Sequence, residues 1–204
     1  MFTEIAPGVF SFANRFVDGK CGIVVGKRCA LAVDACYYPD EAQAMADFIR
    51  AQGRDPNRVA LTHGHSDHVL GGLPAFAGAE VFAHTAAIAT IRKQVPGWVV
   101  ESGESQAQVE ARLLWPTITF TDEVTLDLGG KHARLFRTPG HSADSACIYI
   151  EEDRVLFGGD TAVTGIVSPV GDGNAGELEP TLRRLAAMEI ETLVPGHGAV
   201  LSGI

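Results

Sequence analysis

Six consecutive residues, His63-Gly64-His65-Ser66-Asp67-His68, carry three imidazoles and one carboxylate. That density constrains the fold more than any other stretch, because imidazole nitrogen and carboxylate oxygen packed together call for a shared cation, and zinc and its neighbours accept both. Gly64 and Ser66 are small enough for the turn to aim all four larger side chains at one point. The hydrophobic run Arg58-Val59-Ala60-Leu61 that precedes them reads as a strand ending in a loop. A histidine-rich polar surface loop is the competing reading. It does not account for the ligand-type residues that recur downstream, each at the end of an expected strand.

Those recurrences are Thr138-Pro139-Gly140-His141, Phe157-Gly158-Gly159-Asp160 and Val194-Pro195-Gly196-His197. In each, a strand runs into glycine and a ligand type follows at once. Strand ends that meet at one sheet edge can converge on a point, and a glycine beside the ligand removes a side chain that would crowd it. With the first cluster they form a set of seven: His63, His65, Asp67, His68, His141, Asp160 and His197.

The remaining pattern supplies the frame. Strands are expected at residues 9–13, 21–25 and 29–34 as an antiparallel meander. A helix follows over 39–52, where Ala42, Met45, Phe48 and Ile49 make one apolar stripe and Gly53 stops it. The strand at 59–61 leads to the cluster, after which a short helix punctuated by Gly71-Gly72 and Pro74 leads to a strand at 80–83. Residues 85–93 read as a helix, 95–100 as an apolar break around Pro96-Gly97, and 105–114 as a second helix. Strands then follow at 117–120, 123–128, 132–137, 146–150 and 154–157. A helix marked by Leu178, Leu182 and Leu185 has Pro180 near its first turn, where the missing N–H is tolerated, and a last strand spans 191–194. Such alternation signals α/β layering with helices covering a sheet.

Phe16 and Val17 stand in a polar loop, where packing against the sheet edge is the expected role and a substrate-facing flap the alternative. Trp98 and Trp115 are expected to pack loops onto the core rather than to wall a pocket. His84 and His132 are expected at the surface.

A length of 204 residues fits a single domain spanning 1–204. Sixteen basic against 25 acidic residues give a net charge of −9 with no basic cluster, which disfavours a nucleic acid held by its phosphates and favours a small-molecule substrate. The amino terminus lacks the basic start and apolar run of a signal peptide, and no later run reaches membrane-spanning length, so a soluble, cytoplasmic protein without membrane partners is expected. The oligomeric state is left open. Cys21, Cys29, Cys36 and Cys147 lie in or beside apolar segments without CxxC spacing and read as reduced core residues, with a reactive thiol at Cys36 as the alternative.

The ordered series of HxHxDH, Gly-His, Gly-Asp and Gly-His resembles the metallo-β-lactamase superfamily, and the resemblance spans nearly the whole chain. It implies an αββα sandwich, two mixed sheets between outer helices. By resemblance, His63, His65 and His141 would hold one metal ion, Asp67, His68 and His197 a second, and Asp160 would bridge them. Asp67 and Asp160 are then the candidate catalytic carboxylates, while Asp34 and Thr62 would orient ligand imidazoles from behind; for Asp34 a strand-terminal turn role is the alternative. The implied cofactors are two divalent ions, zinc first, with iron or manganese also compatible. The implied activity is hydrolysis of a small ester-like bond through a hydroxide trapped between the metals.

A carboxylate at position 160 is similar to the glyoxalase II, lactonase and phosphodiesterase branches rather than to true β-lactamases. A thioester or lactone therefore ranks ahead of a phosphodiester, and β-lactam hydrolysis ranks lower. Each branch lacks a piece here. Only seven residues follow His197, where glyoxalase II proteins add a helical substrate domain, and Thr161-Ala162-Val163 stands where many lactonases have a tyrosine. A mononuclear iron, persulfide dioxygenase-like oxidoreductase is the alternative from a second reaction class, and a non-enzymatic metal-binding module is a third.

Overall fold

The computed structural model describes residues 2–203. In the first sheet, apolar residues alternate with a period of two and so serve two different cores. It comprises β1 (Phe2–Ala6), β2 (Val9–Ala13), β3 (Lys20–Val25), β4 (Ala30–Val33), β5 (Arg58–Ala60), β6 (Glu80–His84) and β7 (Ile118–Phe120), in that spatial order. Pairing is antiparallel from β1 to β4 and parallel from β4 to β7. The second sheet holds β8 (Glu123–Asp127), β9 (His132–Arg137), β10 (Ala146–Ile150), β11 (Val155–Gly159), β12 (Thr192–Pro195) and β13 (Leu201–Ser202), in the order β13-β12-β11-β10-β9-β8. Among its described pairs, only β11–β12 is parallel.

Strand β4 shows the layering in four residues. Leu31 and Val33 point into a core shared with Leu135, Ile148 and Phe157 of the second sheet, whereas Ala30 and Ala32 face the outer layer. That outer layer consists of α1 (Pro39–Ala51), α3 (Ala87–Ser102) and α4 (Gln106–Arg112). On the opposite side, Phe136, Cys147 and Leu156 pack against Leu185 of α5 (Ala175–Ala186). The expected sandwich of two mixed sheets between helices is therefore present.

Several local expectations need correction. Residues 95–100 do not break the chain: α3 runs through Pro96 because Ile91, Val95 and Trp98 bury one face, and Gly103 ends it at φ 70°. The short helix after the cluster begins inside it, as α2 (Ser66–Val69). Pro180 lies within α5, past its first turn. Strands β1 and β13 were not expected. His84 is buried at the end of β6, where its Nδ1 accepts from the Ala86 N–H at 3.2 Å, so only His132 of the two spare histidines is at the surface. Both tryptophans are at least half-buried, Trp98 in the core and Trp115 against it. No described helix is long and apolar enough to cross a membrane.

The C-terminal ends of β4, β5, β11 and β12, together with the turn after β9, open on one edge of the sandwich. The seven ligand-type residues emerge there.

Candidate metal centre

The site is assembled from the back forwards. Asp34, one residue past β4, adopts a left-handed backbone at φ 61°, which turns its carboxylate towards the end of β5. There Oδ1 accepts from the Thr62 N–H at 2.7 Å, and Oδ2 lies 2.9 Å from Thr62 Oγ1 and 2.8 Å from His68 Nδ1. Asp34 and Thr62 are fully buried, so these bonds fix the strand end and the His68 ring together. Gly159 comes so close from β11 that a Cβ there would lie 2.7 Å from the Thr62 Cβ, and its own φ is 49°. Glycine is required on both counts.

Each remaining imidazole has its outward nitrogen engaged. His141 Nδ1 lies 2.6 Å from the Pro169 carbonyl, His197 Nδ1 2.9 Å from the Val17 carbonyl, and His65 Nε2 3.2 Å from the Asp172 carboxylate. Carbonyl and carboxylate oxygens only accept, so those outward nitrogens carry a hydrogen, and in a neutral ring the inward nitrogen is left with its lone pair. His63 Nδ1 is 3.1 Å from Thr62 Oγ1.

Inside the ring, His141 Nε2 stands 3.2 Å from His63 Nε2 and 3.0 Å from His65 Nδ1. Three lone pairs aimed at one another repel, and a cation among them removes that cost. Beside this trio, His197 Nε2 lies 3.1 Å from Asp67 Oδ2, and His68 Nε2 lies 3.4 Å from the same oxygen. The ligand atoms thus fall into two groups, His63, His65, His141 and Asp160 in one and Asp67, His68 and His197 in the other. Asp160 faces both: Oδ2 is 3.9 Å and 3.6 Å from His63 and His141, while Oδ1 is 3.5 Å and 3.4 Å from His68 and His197. Buried and without a hydrogen-bond partner are His68 Nε2 and Asp160 Oδ1, the kind of orphaned pair a cation satisfies. Five imidazoles and two carboxylates suit zinc, iron or manganese.

Electrostatics divides the two groups. Burial pushes His63 well below the usual imidazole range, with the charged His68 reinforcing it, and burial likewise lowers His141. His68 goes the other way, because Asp67 and Asp34 outweigh its burial. For His197, burial is overcome by Asp160 and Asp67, and its pKa is pushed up to about 10. Burial alone would raise the Asp67 and Asp160 carboxyls, yet the imidazoliums at His68 and His197 hold both well below the ordinary carboxylate range. In the absence of metal, these shifts favour protons on His68 and His197 and a neutral ring at His63 and His141.

All nine residues singled out in the sequence meet at this edge. Two contributors had no sequence signal of comparable strength. Asp144, fully buried, accepts from the Gly64 N–H at 2.8 Å and from the Thr90 and Ser142 hydroxyls, each at 2.8 Å, pinning the turn that carries His65. Asp172, which faces His65, also accepts from Lys93 Nζ at 2.7 Å and Gln94 Nε2 at 2.5 Å. The polar run Ser142-Ala143-Asp144-Ser145 directly after His141 was the available hint for the first; nothing local marks the second. Phe16 does pack, stacked on Tyr37 at 4.5 Å, but it and the exposed Val17 also line a cleft of about 480 Å³ over the site, together with Ile166, Pro169 and Asp172. Cys36 is fully buried and its thiol lies well above the usual range, held there by Cys21 and by burial, so it is not a reactive thiol.

Residues 15–197 match the family model of the metallo-beta-lactamase superfamily. A hydroxyacylglutathione hydrolase of Methylobacterium sp. (strain 4-46) is 32% identical over 202 residues, which cover 96% of this chain and 68% of that protein. An atrochrysone carboxyl ACP thioesterase of Passalora fulva is 26% identical over 203 residues, covering 97% and 52%. Among solved structures, a metallo-beta-lactamase family protein from Thermus thermophilus superposes with a TM-score of 0.76 at 22% identity, covering 98% of this chain and 76% of that one. The chain spans about half the length of most of the curated relatives it matches.

Proposed function

The chain belongs to the metallo-beta-lactamase superfamily, and from that premise we propose that it is a dinuclear metal-dependent hydrolase that cleaves a small ester-like bond, a thioester before a lactone and either before a phosphodiester. The observation that carries this reading is Asp160, whose two carboxylate oxygens face separate groups of ligand atoms. His63, His65 and His141 would hold one ion, Asp67, His68 and His197 the other, with Asp160 shared. Divalent ions bound there would supply an activated water near neutral pH and Lewis acidity towards a carbonyl oxygen. Thioesterase and hydroxyacylglutathione hydrolase relatives favour the thioester among the ester-like bonds.

The chain's own residues do the positioning. Asp34, Val17, Pro169 and Asp172 hold the outer nitrogens of His68, His197, His141 and His65, so that each inner lone pair points into the site without further reorganisation. Asp144 and Thr62 keep the strand-end turn in register beneath them. Asp67 and Asp160, with carboxyls held ionised by their imidazole neighbours, balance the positive charge that gathers there.

The test is metal analysis of protein purified without added metal, followed by a panel of thioesters, lactones and phosphodiesters on the same sample. Two metal equivalents and turnover of a thioester are expected. One equivalent of iron with oxygen consumption would replace this reading by the mononuclear oxidoreductase; the complete second group, Asp67, His68 and His197, weighs against that outcome.

A further inference from the structure

Eight large apolar side chains are exposed among the described residues, and four of them, Val17, Ile166, Val167 and Val170, belong to the two loops that bound the cleft over the candidate metal centre. A concentration of this kind next to a polar site marks a surface that meets something apolar. The first loop, residues 14–20, holds Val17 at φ 50°, a backbone that a β-branched residue rarely adopts, with its side chain 66% exposed. The strain is retained because the loop is tied down: its Val17 carbonyl accepts from His197 Nδ1 at 2.9 Å, and its Asp18 carbonyl accepts from the Gly198 N–H at 3.1 Å. The second loop, residues 164–173, is tied in the same way. Its Pro169 carbonyl accepts from His141, and its Ser168 hydroxyl donates to the Asp160 carbonyl at 2.6 Å. The backbone that fixes the imidazoles therefore also projects Val17 and Ile166 over the cleft.

Charge narrows the occupant. Among the described residues that line the cleft there is no lysine or arginine, and the ionisable ones are Asp67, Asp160, Asp172 and the candidate ligand histidines His65, His141 and His197. Nearby cations are already engaged: Lys93 with Asp172 at 2.7 Å, Lys20 with Asp18 at 2.6 Å, and Arg15 with Asp40 at 2.7 Å. A substrate bearing a carboxylate on its acyl part would find no partner on these walls. An uncharged hydrocarbon chain would find Val17 and Ile166 on opposite loops.

We propose that the loops 14–20 and 164–173 form an acyl-binding wall, and that the substrate is a thioester whose acyl group is an uncharged, apolar chain lying against Val17 and Ile166. This rests on the thioester reading above, so the experiment separates the two. Metal-loaded protein is assayed with acetyl, butanoyl and octanoyl thioesters of N-acetylcysteamine, an uncharged carrier, and with the glutaryl thioester as the charged counterpart. The octanoyl-to-acetyl ratio of kcat/KM should be at least about tenfold, since each methylene brought into apolar contact adds favourable transfer energy. Glutaryl should fall below butanoyl. In the Val17→Ser/Ile166→Ser double variant the ratio should drop by about fivefold or more, while Leu182→Ser, an exposed leucine on α5 outside the cleft, should leave it unchanged. Calorimetry with the octyl thioether of N-acetylcysteamine, which cannot be hydrolysed, measures the wall alone. If no thioester is cleaved but the thioether binds the wild type and binds the double variant at least about fivefold more weakly, the thioesterase reading falls and the acyl wall stands. A flat chain-length ratio, a preference for glutaryl, or thioether binding that is absent or unaffected by the double variant overturns the proposal.

Discussion

In the dinuclear reading Asp160 meets two requirements that a carboxylate satisfies and a neutral side chain does not: charge to offset two cations, and two oxygens that face separate ligand groups. Asn keeps the shape and removes the charge. Asp160→Asn should therefore weaken metal retention and lower kcat by at least about 100-fold, with little change in KM, because the lost charge acts on the reacting centre rather than on the walls. Metal analysis and steady-state kinetics on the same preparation check it, and near-full kcat with two metals retained would contradict the bridging role. His197 tests the division of the site from the other side. It touches Asp67 and Asp160 but none of the trio His63, His65 and His141. His197→Ala should leave about one metal equivalent of two, and loss of both, or of neither, would show that the ligands do not act as two groups.

At the level of elements, the two sheets are locked by a ring set against a glycine. Phe157 on β11 is fully buried, and a Cβ on Gly22 of β3 would lie 2.2 Å from its Cε1 atom. Phe157→Ala should cost about 3–5 kcal/mol, read from the urea midpoint of the metal-free protein, because neither sheet can close over the space without bending. This contact joins residues 135 positions apart, and no local pattern announces it. The strands themselves were legible because alternation is a local property, and the convergence of the seven candidate ligand positions because a glycine or a tight turn marks each one. Failures have a common cause in tertiary packing. Pro96-Gly97 reads as a break, yet the buried face of Ile91, Val95 and Trp98 holds α3 together across it. The mixed residues of β1 gain their strand only by pairing with β2. Asp144 and Asp172 meet Gly64 and His65 across 80 and 107 residues of sequence, so their part in the site could not be read from either end.

Over the molecule as a whole, 25 acidic side chains outnumber 16 basic ones, and the edge that gathers the candidate ligands carries Asp34, Asp67, Asp160 and Asp172 within one small region. Lys93 faces Asp172, and without metal the protons on His68 and His197 offset the charge of Asp34, Asp67 and Asp160. Both histidines have folded-state pKa values raised above the ordinary value near 6.5, His197 to about 10. Between those limits the folded chain binds more protons than the unfolded one, so the stability these groups contribute is fully present below about pH 6.5 and is lost as pH rises towards 10. A bound cation displaces the protons and removes that dependence. The melting temperature of chelator-treated protein should therefore fall steadily from about pH 6.5 to 9, while that of metal-loaded protein should stay nearly level, so that the gap between the two widens with pH. Thermal scans of both forms in buffers of equal ionic strength provide the measurement. Two parallel curves across this range would mean that His68 and His197 do not carry the protons, and that the charge of the carboxylates is balanced elsewhere in the fold.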